Sequence, residues 1–211
     1  LIEHYMKKYT LIFAVYLLWG CGSDVISDKK NQTPSQEGAI EVVLFAMNDM
    51  HGKIDRFSKV KPFIDQARAV SDKVFLVSAG DIFSGNPIVD FHPKKGSPIV
   101  SLMDAVGMDV SVLGNHEFDY GQAILNDRMS EAGFPFICAN VSSDHAILSV
   151  PDPYVVIEKG GFKIAFVGVV ENSSRGGLRL SHPKNMDGLA FEDGANAVAN
   201  LSTNPDIIGA D

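Results

Sequence analysis

Between Glu41 and Val170, short apolar runs alternate with longer segments whose apolar residues recur every three or four positions. Glu41-Val-Val-Leu-Phe-Ala-Met47 is a nearly continuous apolar run, the pattern of a strand covered on both faces. Phe57 to Val70 places Val60, Phe63, Ile64, Ala67 and Val70 on one side of a helix. Val74 to Ala79 predicts a second buried strand, which ends at Gly80-Asp81. Ser97-Pro98 opens another helix, with serine as N-cap and proline in the first turn, running to about Val106. Val110 to Leu113 predicts a third strand, ending at Gly114-Asn115-His116. A helix from Gln122 to Ala132, closed by Gly133, and a strand from Phe136 to Asn140 follow.

Strand, loop, helix and strand in repetition imply βαβ units and a largely parallel sheet. After Tyr154 the pattern changes. Tyr154 to Lys159 and Phe162 to Val170 flank Gly160-Gly161, a two-residue hairpin turn. The expected fold class is α/β with mixed sheets.

The start of the chain follows other rules. Met6-Lys7-Lys8 is basic, and Leu11 to Trp19 is an unbroken apolar run, too short to span a bilayer but right for the core of a secretory signal. It ends at Leu18-Trp19-Gly20-Cys21, which resembles a bacterial lipobox. Cys21 is thus the expected lipidation site of an exported lipoprotein, anchored to a membrane in the periplasm or at the cell surface. A plain signal peptide or a membrane anchor is the alternative. Gly22 to Gly38 is polar and has too few apolar residues to order itself. The expected organisation is a leader over 1–20, a flexible tether over 21–38 and a globular domain over 39–211.

With 211 residues, 45% of them hydrophobic, the chain has enough apolar material for one core plus an appendage. Its 26 acidic and 18 basic residues give a net charge of −8, which argues against a nucleic-acid backbone as the main partner. A small phosphorylated substrate stays open, because bound cations can supply positive charge locally. The two cysteines, Cys21 and Cys138, imply no disulfide framework, and Cys138 within an apolar run reads as a small core residue.

Polar clusters interrupt the apolar framework, and three of them fall just after predicted parallel strands, where open α/β sheets place their ligands. The first is Asn48-Asp49-Met50-His51-Gly52, in which Asp49 and His51 point to the same side of an extended loop and can grip one ion. The second is Gly80-Asp81, a lone carboxylate able to bridge two ions. The third, Gly114-Asn115-His116-Glu117, brings an amide oxygen and an imidazole to the same edge. Oxygen and nitrogen donors without thiolate suit Mn, Zn, Fe or Mg rather than a structural zinc site. Any one cluster is a weak signal, since D-x-H is common and Gly-Asp is usually a turn. Their order and their spacing of about thirty residues carry the weight.

Together D-x-H, G-D and G-N-H-E resemble the signature of the calcineurin-like metallophosphoesterases. Asn48 to Gly52, Ala79-Gly80-Asp81 with Ser84-Gly85-Asn86-Pro87, and Gly114 to Gly121 look like the branch of bacterial 5′-nucleotidases, UDP-sugar hydrolases and 2′,3′-cyclic-nucleotide phosphodiesterases. The resemblance spans roughly Ile40 to Val170. It implies two sheets sandwiched between helices and hydrolysis of nucleotide phosphate esters. It also implies two divalent metal ions (Zn, Mn, Fe, Mg or Co) that activate a water. By the same resemblance Asp49 and His51 bind the first metal, Asp81 bridges both and Asn115 binds the second. His116 faces the substrate phosphate and Asp119 holds its tautomer. Glu117 and Asn140 are weaker candidates for support.

The family completes its metal site with downstream T-H and G-H-x-H segments and binds the nucleoside in a further domain. After His116 the only histidines here are His145 and His182, both in polar loops, as His92 is. The resemblance would expect a strand at Asp206 to Ile208, leading into the next histidine motif. The chain is thus expected to be a partial catalytic domain that binds metal weakly and turns over little by itself. A phosphodiesterase or UDP-sugar pyrophosphatase, and a non-catalytic surface lipoprotein, are the rival readings.

Overall fold

Four parallel strands lie side by side in chain order: β1 (Val43–Met47), β2 (Val74–Ser78), β3 (Val110–Val112) and β4 (Phe136–Ile137). The crossovers carry α1 (Phe57–Val70), then α2 (Pro87–Asp90) with α3 (Ser97–Val106), then α4 (Gln122–Glu131). Beyond them come β5 (Val141–Ser143), β6 (Tyr154–Lys159), β7 (Phe162–Val167), β8 (Leu189–Phe191), α5 (Gly194–Leu201) and α6 (Pro205–Ile208). The computed structural model describes residues 40–145, 147–171 and 181–211. The leader, Cys21 and the tether lie outside the described residues.

The core forms between the sheet and its helices, where Ile64, Leu76, Met103, Leu113 and Leu125 are buried in one cluster. On the other side of β2, Phe75 packs against Phe166 of β7, with ring centroids 6.0 Å apart. The β6–β7 hairpin turns at Gly160 (φ 57°) and Gly161 (φ 71°), the left-handed pair that a two-residue turn between twisted strands requires. Lys159 beside that turn donates to Asp109 (2.6 Å) and to the Val74 carbonyl (2.9 Å), and Asp109 also accepts from the Leu76 N–H (2.8 Å). The turn is thereby fastened at the start of β2 and β3, which leaves the opposite, C-terminal edge of the sheet free for a site.

Several expectations needed adjustment. Parallel and antiparallel pairings fall in separate ladders, since β6–β7 and β5–β8 each form a two-stranded sheet. After Ile137 the chain leaves β3: the N–H groups of Cys138 and Ala139 donate to Asp152 and Gly168, so the predicted fourth strand stops early. Gly96, at φ 79°, is the N-cap of α3 in place of Ser97, whose hydroxyl instead donates to Glu131 at 2.8 Å. Gly133 closes α4 without a left-handed turn; Ala132 is extended, and the Gly133 N–H donates to Asp104 (2.8 Å). Asp206 to Ile208 forms part of α6 rather than a strand, because Asn204 caps the Asp206 N–H (2.9 Å) ahead of Pro205 at the first turn. On α1, Phe63 and Val70 are exposed while Phe57 and Ile64 are buried, so only a narrow side of the helix meets the core.

Candidate active site

The loop after β1 does not leave the sheet at once. Its Asp49, His51 and Gly52 N–H groups donate to Gly80 (3.2 Å), Asp81 (3.0 Å) and Ile82 (2.9 Å), so the first two predicted clusters run alongside each other. The third cluster joins them through Glu117. This carboxylate is fully buried and accepts from the Ile82 N–H (2.7 Å), the Asp81 N–H (2.9 Å) and the Gly114 N–H. Burial pushes its carboxyl up to about 7, against the pull of the Ile82 and Asp81 amides. Gly114 is required by close approach: a Cβ there would lie 2.3 Å from Asp81 Oδ1. The predicted bridging carboxylate thus sits directly on the glycine of the third cluster.

Four non-glycine residues take positive φ among the described residues: Asp49 (50°), His51 (44°), Asp81 (56°) and Ser84 (53°). All four line this edge. Such conformations cost about 1–3 kcal/mol each and persist where surrounding contacts over-determine them, most often at functional sites.

At the mouth, the His116 N–H donates to Asp81 Oδ1 (2.9 Å), and its Nδ1 lies 2.7 Å from Asp119 Oδ2. An ionised carboxylate can only accept, which places a proton on Nδ1 and leaves Nε2 for a substrate. Burial disfavours the charged ring, but the Asp119 hydrogen bond and the carboxylates of Asp119, Asp81 and Glu117 outweigh it, and the His116 pKa lies above 6.5. The His51 and His116 rings meet edge to face at 4.5 Å. Asp49 and His51 face each other across 3.9 Å, beyond hydrogen-bond reach. Asn115 precedes the 3-10 turn His116–Phe118 that carries the histidine.

The six predicted site residues therefore meet at one edge of the parallel sheet. Their carboxylate, imidazole and amide donors suit divalent cations chemically. No group of three or more His, Cys, Asp or Glu able to hold a metal ion occurs among the described residues. His92, His145 and His182 are exposed, and His182 caps the turn that begins at Pro183. Asn140 stays away from the mouth; it is buried and stitches Val170 (2.8 Å) to Glu192 (3.1 Å). The sequence patterns gave no role to Ser84, Asp90, Tyr120 or Ser181, although Ser84 and Ser181 both donate to Asp119. The available signals were Ser84 in a Ser-Gly-Asn-Pro turn next to Gly80-Asp81, and Tyr120 within the segment Gly114 to Gly121.

The profile of the calcineurin-like phosphoesterase family matches residues 43–202. The chain belongs to the calcineurin-like phosphoesterases. This phosphoesterase is 30% identical over 200 residues to the endonuclease YhcR of Bacillus subtilis, a match covering 81% of this chain and 16% of that protein. It is 29% identical over 164 residues to the 5′-nucleotidase of Vibrio cholerae, covering 72% and 29% respectively. Its fold matches the crystal structure of the calcineurin-like phosphoesterase YfkN from Bacillus subtilis with a TM-score of 0.64 at 23% identity, covering 81% of this chain and 59% of that one. The chain thus spans less than a third of the length of each of these two sequence relatives.

Proposed function

We propose that this phosphoesterase hydrolyses phosphate esters of nucleotides, with water as the nucleophile and two divalent cations as cofactors. The observation that carries this is the convergence of three left-handed loop residues, Asp49, His51 and Asp81, on His116 at the strand-end edge. Asp49 and His51 would hold one cation, Asn115 the other, and Asp81 both. When bound, the cations would neutralise the phosphoryl oxygens and make a water nucleophilic at neutral pH. His116, held at Nδ1 by Asp119, donates from Nε2 to a phosphoryl oxygen as charge builds there. The relative named an endonuclease makes a phosphodiester the second reading.

The full-length protein, loaded with Mn²⁺, is expected to release phosphate from adenosine 5′-monophosphate, to lose this with a chelator and to regain it with added metal. Faster cleavage of single-stranded DNA or a cyclic nucleotide would move the diester reading ahead. In the same assay Asp81→Ala is expected to lower bound metal at both positions; loss of one ion only would refute the bridging role.

The apolar leader ending at Cys21 supports export and lipid anchoring as a further part of this proposal. Cys21→Ser is expected to move the protein from the membrane fraction to the soluble one. An unchanged distribution would mean that Cys21 carries no anchor.

A further inference from the structure

We infer that Ser84 is a positioning residue for this reaction: through Asp119 it sets the orientation of the His116 ring. The inference rests on the proposal above that His116 faces the substrate.

Ser84 adopts the left-handed backbone (φ 53°) although it carries a side chain. Two contacts hold it there, and both go to the segment that follows His116. Its N–H donates to the Tyr120 hydroxyl (2.9 Å) and its own hydroxyl donates to Asp119 Oδ2 (2.6 Å). Tyr120 in turn donates to Asp90, which also accepts from the Gly85 N–H (3.1 Å). Burial, then the Asp90 hydrogen bond, hold the Tyr120 phenol in its protonated, donating form. The turn at 84–85 is therefore clamped by side chains of the segment that follows His116 and by Asp90 at the end of α2.

Asp119 Oδ2 is the atom on which these contacts converge. It accepts from Ser84 Oγ and from His116 Nδ1 (2.7 Å) at once, while Oδ1 accepts from Ser181 Oγ (3.3 Å) and the Asp119 carbonyl accepts from Asn185 (3.1 Å). A carboxylate held at both oxygens cannot rotate without breaking one of these bonds. Ser84 is the shortest of the three side-chain donors, and Ser181 at 3.3 Å is the longest, so removing Ser84 loosens the carboxylate and with it the Nδ1 anchor of His116. A strained serine whose hydroxyl ends on the partner of the working histidine is more than a turn former.

The test uses Ser84→Ala and Ser84→Gly, each alone and with Asp119→Asn, in the metal-loaded full-length protein. Glycine favours the left-handed backbone, so Ser84→Gly removes the hydroxyl without adding strain. Both single variants are expected to lose ~10–100-fold in kcat, as removal of such supporting partners does. KM and metal content should stay within about two-fold, because ground-state binding is untouched. With Asp119→Asn already present, Ser84→Ala should change kcat by less than about two-fold, because the two residues act as one unit. Additive losses, or wild-type kcat in Ser84→Gly, would overturn the inference. The metal-free chain supplies a readout independent of turnover: the Nδ1 proton resonance of His116, sharp in the wild type, should broaden or vanish in Ser84→Gly. An unchanged resonance overturns the role of Ser84 even if no phosphoesterase turnover is found. Absence of turnover in the wild type counts against the proposed function alone.

Discussion

His116→Ala in the metal-loaded full-length protein is expected to lower kcat by ~10²–10⁴-fold, the range for losing a positioned proton donor or charge stabiliser. Bound metal should stay nearly unchanged. His116 is fixed by its backbone N–H on Asp81 and its Nδ1 on Asp119, and with Nδ1 committed to a carboxylate only Nε2 remains for chemistry. The alanine keeps the backbone bond to Asp81 and removes only the ring. Metal content and kcat measured on one preparation decide the role. A parallel loss of metal would make His116 a ligand, and the His51–His116 ring contact of 4.5 Å shows how near to that role it sits.

The largest expected effect on stability is at Glu117. Glu117→Ala leaves the N–H groups of Asp81, Ile82 and Gly114 without their acceptor, at Ile82 in a buried and at the other two in a part-buried position. Each orphaned donor costs about 1–3 kcal/mol, and with partial relaxation the loss should reach about 3–5 kcal/mol. That is a large part of a typical 5–15 kcal/mol, so urea unfolding of the metal-free chain should show a much lower midpoint. The pH dependence has a definite sign. Burial raises the folded carboxyl from 4.5 to about 7, so between those values the folded state keeps a proton that the unfolded state has lost. The contribution of Glu117 to stability is therefore fully present below pH 4.5 and is lost as pH rises through about 7. Glu117→Gln has no such titration, so the wild type should lose stability relative to it across this window. A difference that stays flat or grows with pH would mean that the three amides keep the carboxylate ionised throughout.

Glu117 also shows where sequence reading stops. Its place in G-N-H-E marked it only as weak support, yet it joins two loops 35 and 36 residues apart in sequence. Ser84 and Asp119, 35 residues apart, are a second such pair. No local pattern encodes which backbone amides or hydroxyls a side chain will meet at that separation.

Local periodicity by itself determined β1 to β3, α1, α3 and α4 to within a few residues, because a short apolar run and a one-sided helix are both written into adjacent positions, although β1, at the edge, is only partly buried. Gly160-Gly161 determined the hairpin for the same reason, since its left-handed pair is a property of two residues. Strand ends then located Asp49, His51, Asp81, Asn115 and His116 without any distance being known. Tertiary structure alone decided what depends on contacts between remote segments. Gly96 rather than Ser97 caps α3 because Ser97 finds Glu131 on another helix. β4 stops at Ile137 because Cys138 and Ala139 find acceptors beside the hairpin. The strained loops at Asp49, His51, Asp81 and Ser84 exist because a buried carboxylate, neighbouring loop backbone and a tyrosine hydroxyl hold them together, and those partners are chosen by packing rather than by neighbours in the chain.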